Sequence, residues 1–276
     1  MKTLYVSDLD GTLLNGQEVI SDYSLQALNA MLKNGLTFTF STARSLITAK
    51  KAVCGLNAIY PASIYNGACI VDMRTEKILH VITFNGLKDR IMRLCREAGL
   101  FPLVYSFVDN RERVSWLQGR ETDGILRYLS RRKGDPRLHP ARTEEELFLG
   151  DVFYVTIIAG YGQLQPLLQT VQGMKDAEYV FDRETYRTDA WWLEIMPKGA
   201  TKAEAVKRIA QMLDCDKIVC FGDAVNDISM FRIADEAYAV LNAEAELKDV
   251  ATGVIGYSEE DSVAKWLMAN YPKEQG

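Results

Sequence analysis

Apolar and polar positions change period repeatedly along the N-terminal part of the chain, predicting strand and helix in turn. LYVSD is a short apolar run that meets acids where it ends, as a buried strand does. In SDYSLQALNAMLKNG, Leu25, Leu28 and Leu32 recur at helical spacing, with Ser21 placed to cap the start and Gly35 the end. LTFTFST predicts a second strand, SLITAKKAVCG a helix closed by Gly55, and ASIYNGACIVDM strands about an Asn-Gly turn. The C-terminal part repeats this grammar. TKAEAVKRIAQML sets Thr201 and Glu204 at capping-box spacing and Ala205, Ile209 and Met212 on one helical face. KIVCFGD and AYAV read as strands, NDISMFRIA and SEEDSVAKWLM as helices. Helices alternating with buried strands imply an α/β fold, a doubly wound, mostly parallel Rossmann-like sheet built from both ends of the chain.

Between residues 83 and 187 the alternation lapses. Two helices (LKDRIMRLCREAG and ETDGILRYLSRRK) flank a strand pair, FPLVYSFV and ERVSWLQ. A loop holding Pro136 and Pro140, the strand DVFYVTIIA, and a further helix and strand follow. The expectation is an inserted α+β domain at 83–187, mostly antiparallel, with the core formed by 1–82 and 188–276. Charge changes there as well: 13 of the 17 arginines fall in the insert, which carries 16 basic against 15 acidic residues, whereas the flanks carry 16 against 22.

Bulk properties narrow the function classes. A net charge of -5 over 276 residues argues against nucleic-acid binding, which wants a basic surface. VFYVTIIAG, the most apolar interior run, is too short to span a bilayer, and the N-terminal apolar run meets Asp8 too soon for a signal peptide. Five cysteines, odd in number and without C-x-x-C spacing, read as reduced thiols. A cytoplasmic protein with no membrane or nucleic-acid partner is expected.

Chemistry-bearing residues gather at the predicted strand ends. Asp8 and Asp10 follow the first strand, Ser41 and Thr42 the second, and Gly222-Asp223 the strand KIVCF, with Asn226 and Asp227 just beyond; Lys202 lies in the first turn of its helix. Open α/β sheets bind ligands beyond the carboxyl ends of their strands. Each residue alone has an ordinary use as a cap, a turn residue or a solvated lysine. Together they form a candidate site for phosphate chemistry, in which paired acids hold a divalent cation and divide the work.

SDLDGTLL, FSTAR, PKGATK and FGDAVND resemble, in order and context, the four motifs of the haloacid dehalogenase-like (HAD) superfamily, and more narrowly its Cof-type phosphatases. YNGA at residues 65–68 and LNAEAELK around Asn242 are similar to that subfamily too. The resemblance implies a HAD core with an inserted cap that selects the substrate. It further implies a magnesium-dependent phosphatase that hydrolyses a small phosphorylated metabolite through an aspartyl-phosphate. Asp8 would be the nucleophile and Asp10 the proton shuttle. Mg2+ would be held by Asp8, Asp223 and the main-chain carbonyl of Asp10. Thr42 and Asn226 would donate to phosphoryl oxygens, Lys202 would neutralise charge and Asp227 would steady Lys202 or a metal-bound water. Asn66, Ala43 and Arg44 would act in support. The T-K-A-E register favours Lys202 over nearby Lys198 as the motif lysine.

Two positions depart from the pattern: Ala43 stands where T-G-R has glycine, and Ser262 where the subfamily commonly has glycine. In the insert, Arg111, Arg113, Arg183 and Arg187 are candidates to grip a second anionic group. Trp116, Trp191 and Trp192 are candidates for a stacking face. The alternatives are a phosphomutase or phosphotransferase of the same superfamily and a non-catalytic phosphate-binding protein, as monomer or homodimer.

Overall fold

In the computed structural model, which describes residues 2–57, 60–109, 111–183 and 190–271, the strand Thr3–Ser7 lies between neighbours drawn from opposite ends of the chain. Lys217–Gly222 pairs with it in parallel on one side and Thr37–Phe40 on the other, with Ser7 level with both Phe221 and Phe40. Glu236–Ala239 and Gly253–Val254 complete a five-stranded, wholly parallel sheet. Leu4, Val6, Phe38, Phe40, Val219 and Phe221 are all buried, as a sheet covered on both faces requires. Strand order reverses at Thr3–Ser7, and the crevice at such a reversal opens beyond the carboxyl ends of the strands.

The helices begin where their caps predict. Ser21 accepts the Ser24 N–H at the start of Asp22–Lys33, which buries Leu28 and Leu32 and leaves Leu25 half-buried. Ser45 likewise caps Leu46–Ala52, and Thr201 caps Lys202–Met212 through the Glu204 N–H. The capping box at Thr201 is half made, because the Glu204 carboxylate turns to Lys207 at 2.9 Å. Met212, expected on the buried face, is exposed; that face ends at Ala210.

A small antiparallel sheet, Pro61–Ile64, Cys69–Asp72 and Ile78–Val81, contains the expected hairpin and a third strand the sequence pattern did not reveal. It joins the edge of the parallel sheet where Ser41 bridges to Ser63 and the Thr42 N–H donates to the Ser63 carbonyl at 3.0 Å.

The chain divides into two compact units, Met1–Val81 with Thr201–Gly276, and Ile82–Ala200. The second is α+β. Its six-stranded sheet is antiparallel except where Leu138–Ala141 runs parallel to Arg111–Leu117. Helices Lys88–Ala98 and Tyr161–Gln172 set Ile91, Cys95, Leu164 and Leu168 into a core with Val155, Ile157, Leu193 and Ile195.

Two expectations for this unit are corrected. The stretch expected to be a loop around Pro136 and Pro140 contains the strand Leu138–Ala141. That strand lies at the sheet edge, where a proline's missing N–H is tolerated. The unit also extends past 187, because Trp191–Pro197 pairs with both Asp151–Ala159 and Ala177–Arg183. Among the described residues the five cysteines form no disulfide with one another, and no helix is long and apolar enough to cross a membrane.

Within this second unit the helix Asp123–Ser130 approaches the sheet so closely that a Cβ on Gly124 would stand 2.2 Å from Ile158 Cγ2. Gly124→Ala is therefore expected to lose about 1–3 kcal/mol through overpacking. A denaturant titration would register this as a lower midpoint with an unchanged slope.

Candidate active site

Asp8 continues the line of the Thr3–Ser7 strand by donating its N–H to the Phe221 carbonyl at 2.9 Å, and its side chain is buried. Lys202, the first residue of its helix and equally buried, reaches Asp8 Oδ1 and Asp227 Oδ1, both at 2.6 Å. A cation opposes the dipole at a helix N-terminus, so two carboxylates hold this ammonium where helix electrostatics would not. Desolvation works against the charge of Lys202, but Asp227 and Asp8 outweigh it, and its pKa rises above the ordinary lysine value. Lys198, the alternative, is exposed and belongs to the second unit.

Asp223 lies at the end of the strand beside that of Asp8 and accepts from Thr12 Oγ1 at 2.8 Å. Asp227 is committed on both oxygens: Oδ1 to Lys202, Oδ2 to the N–H groups of Asp223 and Ala224. One carboxylate oxygen from each of Asp8, Asp223 and Asp227 all lie within 4.8 Å of one another. Asp8 Oδ2 and Asp223 Oδ2 accept no hydrogen bond among the described residues. Burial first, and then Asp227, push the Asp223 carboxyl up to about 7. Burial likewise raises Asp8, with Asp227 and Asp223 adding to it against the pull of Lys202. Three clustered carboxylates, two of them with an unshared oxygen, fit a hard cation such as magnesium, which prefers oxygen ligands.

Close backbone approach makes this packing possible. Gly11 has φ +70°, and a Cβ there would stand 2.2 Å from Asp223 Oδ2. At Gly222 a Cβ would meet Asp227 Oδ2 at 2.6 Å.

The other expected residues divide between the cluster and its rim. Thr42 is buried; its hydroxyl accepts the Arg44 N–H, its proton has no partner among the described residues, and helix capping falls to Ser45 instead. Asn226 donates from Nδ2 to Asn66 Oδ1 at 3.1 Å, and its own buried Oδ1 has no partner among the described residues. The side chain of Asp10 is not brought into the cluster. It is half exposed and gripped by Arg44, with Nε on Oδ2 at 2.7 Å and Nη2 on Oδ1 at 2.5 Å, while Nη2 also reaches Glu18 at 2.9 Å.

Sequence reasoning gave no role to Thr12, Glu18 or Asn242. Asn242 ties two loops together, donating to the Gly11 carbonyl at 2.8 Å and accepting the Ser258 N–H at 3.0 Å. The D-G-T and L-N-A strings contained Thr12 and Asn242, but nothing local marks the long-range partners.

Residues 5–267 match the family model described as haloacid dehalogenase-like hydrolase. The chain belongs to that family. A Bacillus subtilis 5-amino-6-(5-phospho-D-ribitylamino)uracil phosphatase is 24% identical to this haloacid dehalogenase-like hydrolase, covering 94% of this chain and 95% of its own. An HMP-PP phosphatase of Yersinia pseudotuberculosis is 27% identical, over 97% and 94%. Crystal structures of proteins from Thermotoga maritima and Bacteroides thetaiotaomicron share the fold. The first has a TM-score of 0.79 at 21% identity, covering 99% of each chain; the second has 0.78 at 18%, covering 98% of this chain and 100% of its own.

The two departures within this haloacid dehalogenase-like hydrolase are sterically mild. Neither Ala43 nor Ser262 has a positive φ, so neither position demands glycine.

The raised Asp223 pKa carries a sign. Between its ordinary 3.8 and about 7, the folded protein holds a proton that the unfolded chain releases, so this group's contribution to stability falls as pH rises through that window. Asp223→Asn keeps an acceptor for Thr12 and removes the charge. Without metal it should raise Tm at pH 8 more than at pH 5, by about 2–4 °C for each kcal/mol gained. Where magnesium binding at this cluster raises the Tm of the unaltered protein, Asp223→Asn should abolish that upshift. Thermal unfolding at the two pH values, with and without magnesium, reads both effects.

Proposed function

We propose that the protein is a magnesium-dependent phosphoric monoester hydrolase that acts on a small phosphorylated metabolite through an aspartyl-phosphate. The observation that carries this reading is the Asp8–Lys202–Asp227 chain beside Asp223, set at the ends of adjacent parallel strands. Two relatives named as phosphatases support the reaction class.

Asp8, Asp223 and the main-chain carbonyl of Asp10 would hold the magnesium ion. Bound there, it screens the anionic ester from the carboxylate that attacks it. Lys202 lies on Asp8 Oδ1; one oxygen of this carboxylate attacks phosphorus while the other faces the cation. The P–O bond to the leaving alcohol breaks as the bond to Asp8 forms. Thr42 and Asn226 donate to phosphoryl oxygens, and the Lys202 ammonium offsets charge gathering at the reacting centre. Asp10 protonates the departing oxygen and later takes a proton from the water that hydrolyses the intermediate. Arg44 engages both Asp10 oxygens and holds the carboxylate in place, and each oxygen keeps a further lone pair open to a proton. On the same reading, substrate choice falls to the insert, with Arg111, Arg113 and Arg183 as candidates to meet a second anionic group; Arg187 lies outside the described residues.

Incubating the purified protein and magnesium with a panel of phosphate esters, para-nitrophenyl phosphate among them, tests the proposal. Phosphate release is expected, lost with a chelator and in Asp8→Asn, and slowed about 10²–10⁴-fold in Asp10→Asn. Full turnover by Asp8→Asn would overturn the mechanism.

A further inference from the structure

The YNGA string folds into a turn that a hairpin alone does not need. Ile64 and Cys69 are the last paired residues of the two strands, so the connection has four residues, not the two of a tight Asn-Gly hairpin. Tyr65, Asn66 and Gly67 have φ of +52°, +52° and +95°, three left-handed residues in succession, two of them not glycine. Hairpin tips are ordinarily solvated. This one is not: Asn66 is 3% exposed. A left-handed run of this kind persists only where its surroundings hold it.

Those surroundings are three of the loops that build the site. The Tyr65 N–H donates to the Arg44 carbonyl at 3.1 Å and the Asn66 N–H to the Thr42 carbonyl at 3.0 Å. Asn66 Oδ1 accepts from Asn226 Nδ2 at 3.1 Å. Gly67 presses on the start of the Lys202 helix, where a Cβ would stand 2.1 Å from the Thr201 carbonyl oxygen.

Asn66 thus joins the two residues assigned to hold phosphoryl oxygens, its main chain to Thr42 and its side chain to Asn226. A carboxamide presents its oxygen or its NH2 with nearly the same shape, so a neighbouring group must choose between them. An acceptor placed at Asn226 Nδ2 makes that choice. It takes one N–H and leaves the other for an anion.

Building on the phosphatase reading above, we infer that Asn66 is a positioning residue of the phosphoryl site: it orients the Asn226 amide to donate and fixes the spacing between Asn226 and Thr42. The left-handed backbone supplies a clean test. Glycine adopts φ +52° without strain, so Asn66→Gly deletes the carboxamide and spares the turn.

Binding of inorganic phosphate to the full-length protein with magnesium, followed by calorimetry, is the readout. Asn66→Gly is expected to weaken phosphate about tenfold and to lower kcat, with little change in Tm. Asn226→Ala should weaken it similarly, and adding Asn66→Gly to Asn226→Ala should cost little more, because one residue acts through the other. Asn66→Ala removes the same group and serves if the glycine variant does not fold. Unchanged phosphate affinity in these variants, or losses that add, would overturn the inference alone. Failure of the unaltered protein to bind phosphate would remove the phosphatase reading, and this inference with it.

Discussion

One buried ammonium organises the site. Lys202 joins Asp8 to Asp227 across 194 and 25 residues of sequence, and a third carboxylate, Asp223, stands beside them. Three carboxylates against one ammonium leave an excess of negative charge where water is scarce, and each unpaired ion in such a place costs several kcal/mol. Either a proton or a cation must make up the difference. The rise of Asp223 to about 7 is the first of these outcomes in a protein without metal, and the fit to a hard cation is the second. The surrounding loops exist to hold this imbalance in place. Asp227 spends one oxygen on two main-chain N–H groups, Thr12 pins Asp223, and Asn242 pins the loop that carries Asp10 and Gly11.

The parallel sheet sets the scale of the cluster. Neighbouring strands lie about 4.8 Å apart, and Asp8 and Asp223 each follow the end of one of two paired strands, so their carboxylates start at close to the right separation. Side chains alone do not finish the job. The loop backbones must also approach within the reach of those carboxylates, which is why Gly11 and Gly222 face Asp223 and Asp227 with no room for a Cβ. Asp8 and Asp10, two residues apart, end in opposite surroundings: one buried on a lysine, the other half exposed on an arginine. Environments that differ this much let two identical side chains take different chemical parts.

Much of this was legible in the sequence because the site is built from local features: acids at strand ends, a lysine just inside a helix, and glycines where loops must tighten. The parallel core was legible for a similar reason, since short apolar-rich strands alternate there with capped helices. What stayed hidden depends on partners far along the chain. Arg44 could be singled out but not matched to Asp10 and Glu18, because an ion pair between loops leaves no periodic trace. WWLEIMP shows a strand's composition without naming its neighbours, and so the sequence pattern alone places the insert's edge before Trp191–Pro197. The strand at Leu138–Ala141 was masked by Pro140, tolerable only at an edge that sequence cannot locate.

The chain's connectivity also explains why the reaction is easier to read than the substrate. The insert leaves after the strand Ile78–Val81, in the same small sheet as the Asn66 turn, and returns at Thr201, the cap of the Lys202 helix. Yet Gly67 already lies against the Thr201 main chain, so the first unit closes on itself at the point of insertion. Asp8, Asp10, Thr42, Asn66, Lys202, Asp223, Asn226 and Asp227 all belong to that one unit. On the proposed reading the chemistry is complete within one unit, which constrains residue types tightly there and leaves the inserted unit free of those constraints. Site geometry, not fold, then carries the functional argument.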